Sequence, residues 1–284
     1  MKKYRAIMVF ITVLSLIISF SVMLTACGKN NQESNNSYTP DSAGTITISG
    51  STSVQPLSQI LADEYNNEKP DIKIDIQAGG SSTGIKNVNA KVTDIGNSSR
   101  SLKEEEKAWG LKENIIAIDG IAIVINPDNS VENLSKDDLI KIFTGKISNW
   151  KDVGGADREI IVINREDGLG TRVAFEEILG IEGNTRKDAM ISNENGVVKA
   201  TVASKEDAIG YMSLGYVDQS VKTLRIDDIE PSVENIKSGK YPISRPFLMV
   251  IKEEVKPEVQ AFLSFVLSRR GQKIVEEQGY LSAK

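Results

Sequence analysis

The sequence predicts an α/β fold with a largely parallel sheet, and three observations lead to that prediction. The 284 residues are 40% hydrophobic and 26% charged, a composition typical of a globular protein with enough chain for a buried core. Short alternating segments are followed repeatedly by amphipathic ones, so strands and helices alternate along the chain. Residues 115–126 (IIAIDGIAIVIN) are almost continuously apolar, as expected of a strand covered on both faces.

The first part of the chain shows the alternation of strands and helices most clearly. Residues 45–49 alternate between polar and apolar side chains and predict a strand, and an amphipathic helix is expected over residues 54–66. Residues 70–77 alternate again and predict a second strand, after which the segment 78–84 opens another helix. Residues 94–96 predict a short buried strand that leads into a polar turn.

The second part of the chain continues the same pattern. The extended segment near its end contains Pro242 and Pro246, and we expect it to return to the first part. The final segment has apolar residues on one face and predicts a single closing helix. The predicted helices cover residues 135–143, 173–179 and 257–278, the predicted strands cover 159–164, 209–212 and 221–226, and the extended segment covers 241–251.

Composition excludes several classes of function. The chain has no His, which excludes Ser-His-Asp and Cys-His catalysis and the commonest zinc ligand. One Cys allows neither an intrachain disulfide nor a Cys-ligated cluster. The net charge of −5 argues against a nucleic-acid partner, because such proteins normally carry a basic surplus. We therefore expect neither a cofactor nor a metal site.

The N-terminus has the pattern of an export signal. Lys2, Lys3 and Arg5 precede residues 6–26, which carry no charge. About twenty apolar residues could also form a permanent membrane anchor. The tetrapeptide that ends at Cys27 (LTAC) resembles the bacterial lipobox, in which the Cys thiol is acylated and becomes the new N-terminus. Residues 1–27 are thus predicted to be a lipoprotein signal peptide with Cys27 as the lipidation site.

Residues 28–44 (GKNNQESNNSYTPDSAG) are polar and lack apolar periodicity. They predict a flexible tether between the lipid anchor and the folded body. Removal of the three basic residues of the signal lowers the net charge from −5 to −8. The mature protein is therefore expected to be lipid-anchored at the bilayer, on the extracytoplasmic face of the cell membrane.

Three segments share one design, in which a strand leads through small hydroxyl and Gly residues into a helix. They are residues 49–53 (SGSTS), 79–84 (GGSSTG) and 165–171 (REDGLGT). The start of a helix presents unpaired N–H groups and the positive end of the helix dipole, which together favour an anion. For any one segment, an ordinary N-cap is the alternative interpretation. Three such segments in one chain favour a shared oxyanion site, and the lack of a Gly-Lys-Ser/Thr sequence argues against nucleotide hydrolysis.

Two charged residues stand out near these segments. Arg165 could be an ordinary surface residue, but its place at a strand end, two residues before Asp167, suggests a fork that the carboxylate holds and that points at an anion. Asp119 is a lone carboxylate inside an apolar run, where a charge is costly unless it is paired or lines a cleft. A turn Asp before Gly120 is an equally good local interpretation.

These segments resemble a known family, the phosphate-binding lipoproteins of Pst-type ABC importers. The resemblance runs from about residue 45 to the C-terminus, in the order of the family, and its most specific parts are FTGKISNW and REDGLGTR. The matching segments are GSTSVQPL (50–57), GGSSTGIKNV (79–88), DIGNSSR (94–100), DGIAIVINP (119–127), LIKIFTGKISNWKDVGG (139–155), REDGLGTRVAFEE (165–177), AIGYMSLGYV (208–217) and FLSFVLSRRGQKIVEEQGY (262–280).

The resemblance implies a two-lobed periplasmic-binding-protein fold of the type II-like kind, with the ligand in the cleft between lobes. Residues 45–118 plus 242–284 would form lobe 1, and residues 119–241 would form lobe 2. The implied partners are inorganic phosphate and the membrane permease subunits of a phosphate ABC transporter. The phosphate contacts carried over from the family fall on Thr52, Ser53, Ser81, Arg165, Leu169, Gly170 and Thr171, with Asp167 restraining Arg165.

Two positions depart from the family pattern. Leu169 stands where the family often has Ser, which removes a hydroxyl donor but leaves the amide. Ser99 stands where some members have an Asp that accepts the phosphate proton. We infer that Asp119 supplies this carboxylate and that Ser99 has a supporting role.

An enzyme and a carrier of another oxyanion are the competing interpretations. A secreted phosphatase would need metal ligands or an activated nucleophile, and the carboxylates near the motifs are scattered singly. Sulfate and molybdate are closer rivals. Phosphate carries a proton near neutral pH and sulfate does not, so a carboxylate in the site would favour phosphate. The prediction is a non-catalytic phosphate-binding protein.

Overall fold

The computed structural model describes residues 44–283. The predicted signal peptide with Cys27, and all but the last residue of the predicted tether, lie outside this range. The helices of the described part are α1 (Gln55–Glu68), α2 (Ser81–Asn89), α3 (Glu104–Lys107), α4 (Lys136–Phe143), α5 (Gly170–Leu179), α6 (Asn195–Ser204), α7 (Val233–Lys237), α8 (Pro257–Val266) and α9 (Arg269–Glu277), with 3-10 turns at Trp150–Val153 and Leu214–Tyr216.

The strands are β1 (Thr45–Gly50), β2 (Lys73–Ala78), β3 (Ile95–Ser98), β4 (Leu111–Ile125), β5 (Asn133–Leu134), β6 (Ile161–Arg165), β7 (Met190–Ser192), β8 (Ala208–Ser213), β9 (Lys222–Thr223), β10 (Arg225–Ile226), β11 (Ser244–Lys252) and β12 (Leu281–Ser282). The main sheet has the order β2-β1-β3-β11-β4-β8-β6-β7, with β9 and β12 paired to β4. β5 and β10 form a separate parallel pair.

The sheet is mixed, and the prediction of a largely parallel sheet is correct only for its two ends. Strands β1, β2 and β3 are parallel to one another, and so are β6, β7 and β8. In the middle, β11 pairs antiparallel with both β3 and β4, and β4 pairs antiparallel with β8. The returning segment near the C-terminus is β11, which lies between β3 and β4. Because β11 runs antiparallel to both, the sheet changes from parallel to antiparallel pairing at this point.

The buried apolar residues divide into groups along these two central strands. In β4, Ile116 and Ala117 pack with β1, α1 and α8, whereas Ile121, Ile123 and Ile125 pack with α4, α5 and β8. In β11, Phe247 belongs to the first group, whereas Ile243, just before the strand, belongs to the second. We call the part around β1–β3 the first half and the part around β6–β8 the second half. All of residues 44–283 lie within one compact unit.

This division of the core supports the predicted lobe boundaries, which remain a prediction. The core changes between residues 117 and 121 in β4 and between residues 243 and 247 around β11. The predicted boundaries fall at 118/119 and at 241/242, close to both changes. β4 and β11 therefore form the connection between the halves.

Two predicted helices differ from those in the structure. α5 begins at Gly170, three residues before the predicted start, whereas α2 begins at Ser81, within the segment 78–84 that was expected to open it. The predicted closing helix 257–278 consists of two helices. Ser268 separates them, because its Oγ accepts from Gly271 N at 3.2 Å and caps α9, while it donates to Phe265 O at 2.6 Å and ends α8. Within residues 44–283, no helix has both the length and the apolar content needed to cross a membrane.

Candidate functional site

The three hydroxyl- and Gly-rich segments meet where the strands of both halves end. β1 and β2 are parallel and finish at Gly50 and Ala78, and β6 finishes at Arg165. Ser53 Oγ, in the first half, lies 2.9 Å from Thr171 Oγ1 in the second. Ser82 N donates to Gly168 O at 3.3 Å, again from the first half to the second. Segments far apart in sequence thus form one polar site, with the helix starts of α2 and α5 facing each other.

None of the three helix starts has a side-chain cap in the structure. α2 follows Gly80, which has no side chain, and α5 follows Leu169, whose side chain is apolar. α1 follows Val54, and Ser51 Oγ accepts from Ser53 N at 3.2 Å and from Val54 N at 3.3 Å in the turn before this helix. The N-cap interpretation is therefore wrong for all three segments. At α2 and α5, first-turn amides remain available to an anion.

Glycine makes the close approach of the halves possible. A Cβ on Gly170 would lie 2.1 Å from Ser81 Oγ and 2.5 Å from Ser99 Oγ, so only Gly fits at the first position of α5. Gly80 has a φ of +84°, and a Cβ there would meet Leu169 Cδ2 at 2.9 Å. The Leu169 side chain thus covers Gly80, and the Leu169 backbone N–H donates to Glu166 O at 3.3 Å.

Ser99 connects the two segments of the first half. Its Oγ accepts from Ser51 Oγ at 2.9 Å, and its backbone N–H donates to Ser81 Oγ at 3.0 Å. Ser81 and Ser99 are fully buried. Ser99 therefore holds the start of α2 against the loop before α1, which fits the supporting role expected for it.

Arg165 is a buried residue at the centre of the site, so the surface interpretation is wrong. Its Nη1 donates to Asn195 Oδ1 at 2.9 Å, and its Nη2 donates to Asn193 O at 3.1 Å and to Thr52 Oγ1 at 3.4 Å. Its Nε has no partner in the described part of the chain. Burial lowers the pKa of the Arg165 guanidinium to about 10, so the group is still charged near neutral pH.

The prediction that Asp167 restrains Arg165 is wrong. Asp167 lies in the exposed turn between β6 and α5, and the hydrogen bonds of the Arg165 side chain go to other residues. The strand ends at Arg165 itself, so the next two residues turn outward. An amide, Asn195, takes the place that was assigned to the carboxylate.

Asn195 was missed by the sequence reasoning although it lies in the same network. Its Nδ2 donates to Ser53 Oγ at 3.0 Å, and its Oδ1 accepts from Ser213 N at 3.2 Å as well as from Arg165. A signal was present, because strand β7 leads through residues 193–194 (NE) into α6, which begins at Asn195 and continues with Gly196. This is a fourth instance of the strand, polar residues and helix start that defined the other three segments.

Asp119 lies in the middle of strand β4, so it is not a turn residue. Its Oδ2 accepts from Arg245 Nε at 3.1 Å and from Arg245 Nη2 at 3.0 Å, and its Oδ1 accepts from Ser213 Oγ at 2.8 Å. Burial raises the pKa of the Asp119 carboxyl to about 6, although the Arg245 and Ser213 contacts act to lower it. Asp119 reaches Arg165 through Ser213 and Asn195, and its contact with a bound anion remains a prediction.

Tyr216 is a further contact between the halves that sequence reasoning did not identify. Its hydroxyl donates to Thr52 O at 3.0 Å, beside the Thr52 side chain that meets Arg165. Burial raises the pKa of the Tyr216 hydroxyl, so this group remains a donor near neutral pH. Residues 44–283 contain no group of three or more Cys, Asp or Glu side chains that could hold a metal ion. The donor set of N–H and hydroxyl groups with one arginine suits an oxyanion.

Comparison with known sequences gives consistent results. A family model described as a PBP superfamily domain matches residues 35–270. The chain is 37% identical to the phosphate-binding protein PstS of Bacillus subtilis, over 99% of this chain and 95% of that one. It is 34% identical to the phosphate-binding protein PstS of Borreliella burgdorferi, over 86% and 92% of the two chains.

Comparison with solved structures agrees. A putative phosphate ABC transporter substrate-binding protein from Clostridium perfringens, with bound phosphate, superposes with a TM-score of 0.83 at 44% identity and covers 85% of this chain and 100% of its own. An ABC-type phosphate transport receptor from Vibrio cholerae gives a TM-score of 0.74 at 36% identity, with 84% and 100% coverage. The predicted two-lobed α/β fold is thereby confirmed.

Proposed function

Because the chain belongs to the PstS family of phosphate-binding proteins within the PBP superfamily, we propose that it captures inorganic phosphate outside the cell and delivers it to an ABC importer. One ion binds per chain, in the cleft between the two lobes, and the protein carries out no reaction on it. The observation that carries this proposal is a buried arginine, Arg165, surrounded by hydroxyl groups and uncapped helix starts.

The proposed contacts come from both halves of the molecule. Thr52 and Ser81 supply hydroxyl and amide donors, and Ser53 supplies its amide, which also donates to Ser51 Oγ at 3.2 Å. The amide of Leu169, just before α5, also donates to Glu166 O at 3.3 Å. With the first amides of α5, at Gly170 and Thr171, it completes the set of donors around the charged fork of Arg165. Hydrogen bonds from neutral groups fix the orientation of the ion, and the charged arginine contributes the strongest single contact. Lobe closure buries the ion from water, where each of these bonds is worth more.

We propose Asp119 as the group that receives the proton of phosphate. Its carboxylate accepts three hydrogen bonds from Arg245 and Ser213, and Ser213 and Asn195 connect it to Arg165. A fully ionised anion such as sulfate gains no hydrogen bond there and meets a negative charge. A buried site in which the wrong ion leaves a polar group unpaired can favour the right ion by several orders of magnitude in affinity.

The remaining steps concern transport and anchoring. We propose that acylation at Cys27 attaches the protein to the extracytoplasmic face of the membrane and that residues 28–44 let the body reach the permease subunits. Delivery of phosphate requires lobe opening at the permease and no bond breaking. The names of the relatives describe binding and transport proteins, which supports a role without catalysis.

The test is calorimetric titration of residues 45–284 with phosphate, arsenate, sulfate and molybdate in turn. We expect one phosphate per chain, competition from arsenate, which has the same shape and protonation, and much weaker binding of sulfate. Incubation with phosphate monoesters should release no phosphate. Tighter binding of sulfate than of phosphate would exclude the proposed specificity.

A further inference from the structure

Asn195 occupies a junction that none of the family-derived contacts explains. It begins α6 in the second half and is only 1% exposed. Its Oδ1 accepts from Arg165 Nη1 at 2.9 Å and from Ser213 N at 3.2 Å, and its Nδ2 donates to Ser53 Oγ in the first half at 3.0 Å. One amide thus contacts the charged fork of the site, the strand end of β8 and the opposite half.

Arg165 is bound by an amide at this junction, whereas the other buried arginines are paired with carboxylates. Arg100 is paired with Glu106, and Arg245 is paired with Asp119, in both cases by a buried carboxylate. Arg165 is equally buried, yet within residues 44–283 its side chain donates only to an amide, a backbone carbonyl and a hydroxyl. The site therefore retains one positive charge that forms no direct ion pair with a carboxylate of residues 44–283.

We propose that Asn195 is the positioning residue of this site, which holds the Arg165 guanidinium through an uncharged acceptor and ties it to Ser53 of the other half. This inference rests on the proposed function and deepens it. An amide fixes the direction of the fork as a carboxylate would, but it leaves the full charge available to the ligand. Its second bond, to Ser53, makes the position of Arg165 depend on closure of the two halves.

A carboxylate at this position would have opposite effects on stability and on binding. In Asn195→Asp, the new carboxylate would accept from Arg165 Nη1, from Ser213 N and from Ser53 Oγ, so every polar atom stays paired. It would neutralise Arg165 and repel an anion. In Asn195→Ala, Arg165 would stay charged but would lose its restraint, and Ser53 and Ser213 would each lose a partner.

The experiment measures phosphate affinity by calorimetry and the melting temperature without phosphate, for the wild type, Asn195→Asp and Asn195→Ala. Asn193→Asp is the matched control, because Asn193 is exposed and contributes only its backbone carbonyl to Arg165. We expect Asn195→Asp to lower phosphate affinity about 10- to 100-fold, the range of one charge-assisted hydrogen bond, and to melt no earlier than the wild type. Asn195→Ala should bind more tightly than Asn195→Asp and yet melt earlier than it.

A purely structural asparagine predicts the other order. In that case the near-isosteric Asn195→Asp variant would keep its affinity, and in Asn195→Ala affinity and melting temperature would fall together. Either result overturns the inference, as does an equal loss of affinity in Asn193→Asp. If the wild type itself binds no phosphate, the proposed function fails and this inference fails with it. If the wild type binds and Asn195→Asp binds equally well, only the inference fails.

Discussion

Arg165 and Thr52 contribute donors of different kind to the same edge of the site, where Arg165 Nη2 lies 3.4 Å from Thr52 Oγ1. We expect Arg165→Ala to reduce phosphate binding by about 1.5–3 kcal/mol, and Thr52→Ala by about 0.5–1.5 kcal/mol, because the first removes a charge-assisted bond. Calorimetry on both variants measures the difference. Arg225→Ala is the control, since Arg225 is an exposed arginine on β10. Equal losses for Arg165→Ala and Thr52→Ala would mean that Arg165 does not touch the ion.

Gly170 sets how closely the halves approach. We expect Gly170→Ala to weaken phosphate binding, because its Cβ would stand 2.1 Å from Ser81 Oγ, and overpacking of this kind also destabilises the folded protein by about 1–3 kcal/mol. Gly196→Ala is the matched control, since a Cβ at Gly196 in α6 meets nothing within 4 Å. The titration should show normal affinity for the control. Equal affinities in the two variants would show that the halves do not close onto the ion at this point.

Asp119→Asn separates the role of proton acceptor from that of ion-pair partner. If Asp119 accepts the phosphate proton, the variant binds phosphate more weakly and sulfate more tightly, because the repelling charge is gone. If Asp119 only balances Arg245, the variant unfolds more easily, by about 3–5 kcal/mol for a broken buried pair, and the phosphate-to-sulfate ratio stays constant. Both affinities and the melting temperature are measured together. We expect the ratio to fall.

The individual residues show where sequence reasoning succeeds and where it stops. The hydroxyl and Gly residues of the three segments were found because the strand, the small residues and the helix start are local in sequence. Asp167 was assigned wrongly because spacing alone does not tell on which side of a strand end a side chain points. Asn195 was missed because its partner Ser53 lies 142 positions away, a distance that only the fold closes.

At the level of elements, the strands and helices that surround the site were largely predictable from hydrophobic period. The sheet direction was not, because a period of two is the same for parallel and antiparallel strands. The break between α8 and α9 was also hidden, since both helices keep an apolar face. A single residue, Ser268, ends one helix and caps the next. The spacing of apolar residues does not reveal these two hydrogen bonds, so it does not predict the break between the helices.

The start of α2 is held by a buried ion pair between β3 and α3. Arg100 Nη1 donates to Glu106 Oε2 at 2.6 Å, Arg100 Nη2 donates to Glu106 Oε1 at 2.8 Å, and Nη2 also donates to Ser82 Oγ at 3.0 Å. Burial acts to raise the pKa of Glu106, but hydrogen bonds from Arg100 and from Lys103 N hold it below its ordinary value of 4.5. The charged form of Glu106 thus stabilises the folded state.

We expect Glu106→Gln to destabilise the protein by on the order of 3 kcal/mol at neutral pH, because Arg100 loses its buried counter-ion. The pKa of Glu106 is lower in the folded state, so the stabilisation is present above pH 4.5 and is lost as the pH falls through the folded value. Denaturant unfolding at several pH values measures this. The advantage of the wild type over Glu106→Gln should shrink on acidification. The exposed Glu105→Gln variant is the control and should show no such change.

Over the whole molecule, the negative net charge opposes the attraction of an anion to the site. The chain after the predicted signal carries −8, so attraction of an anion depends on local donors and on one unneutralised arginine. The two halves are held together by contacts that include the site itself, such as the bonds from Asn195 to Ser53 and from Tyr216 to Thr52. In the proposed site, binding and closure would therefore use the same atoms. Selectivity comes from the enclosed geometry and not from the long-range field.

The folded body is expected to bind phosphate independently of its anchor. The described body begins at residue 44, and the polar residues 28–44 separate the proposed lipidation site from it. We expect Cys27→Ser to leave phosphate affinity unchanged, because the hydrogen bonds described for the site all join residues within 44–283, while the protein is released or remains an unlipidated precursor. Mass spectrometry, cell fractionation and calorimetry test this together. A diacyl-modified mass in Cys27→Ser would refute the lipidation site, and a loss of affinity would refute the separation of anchor from site.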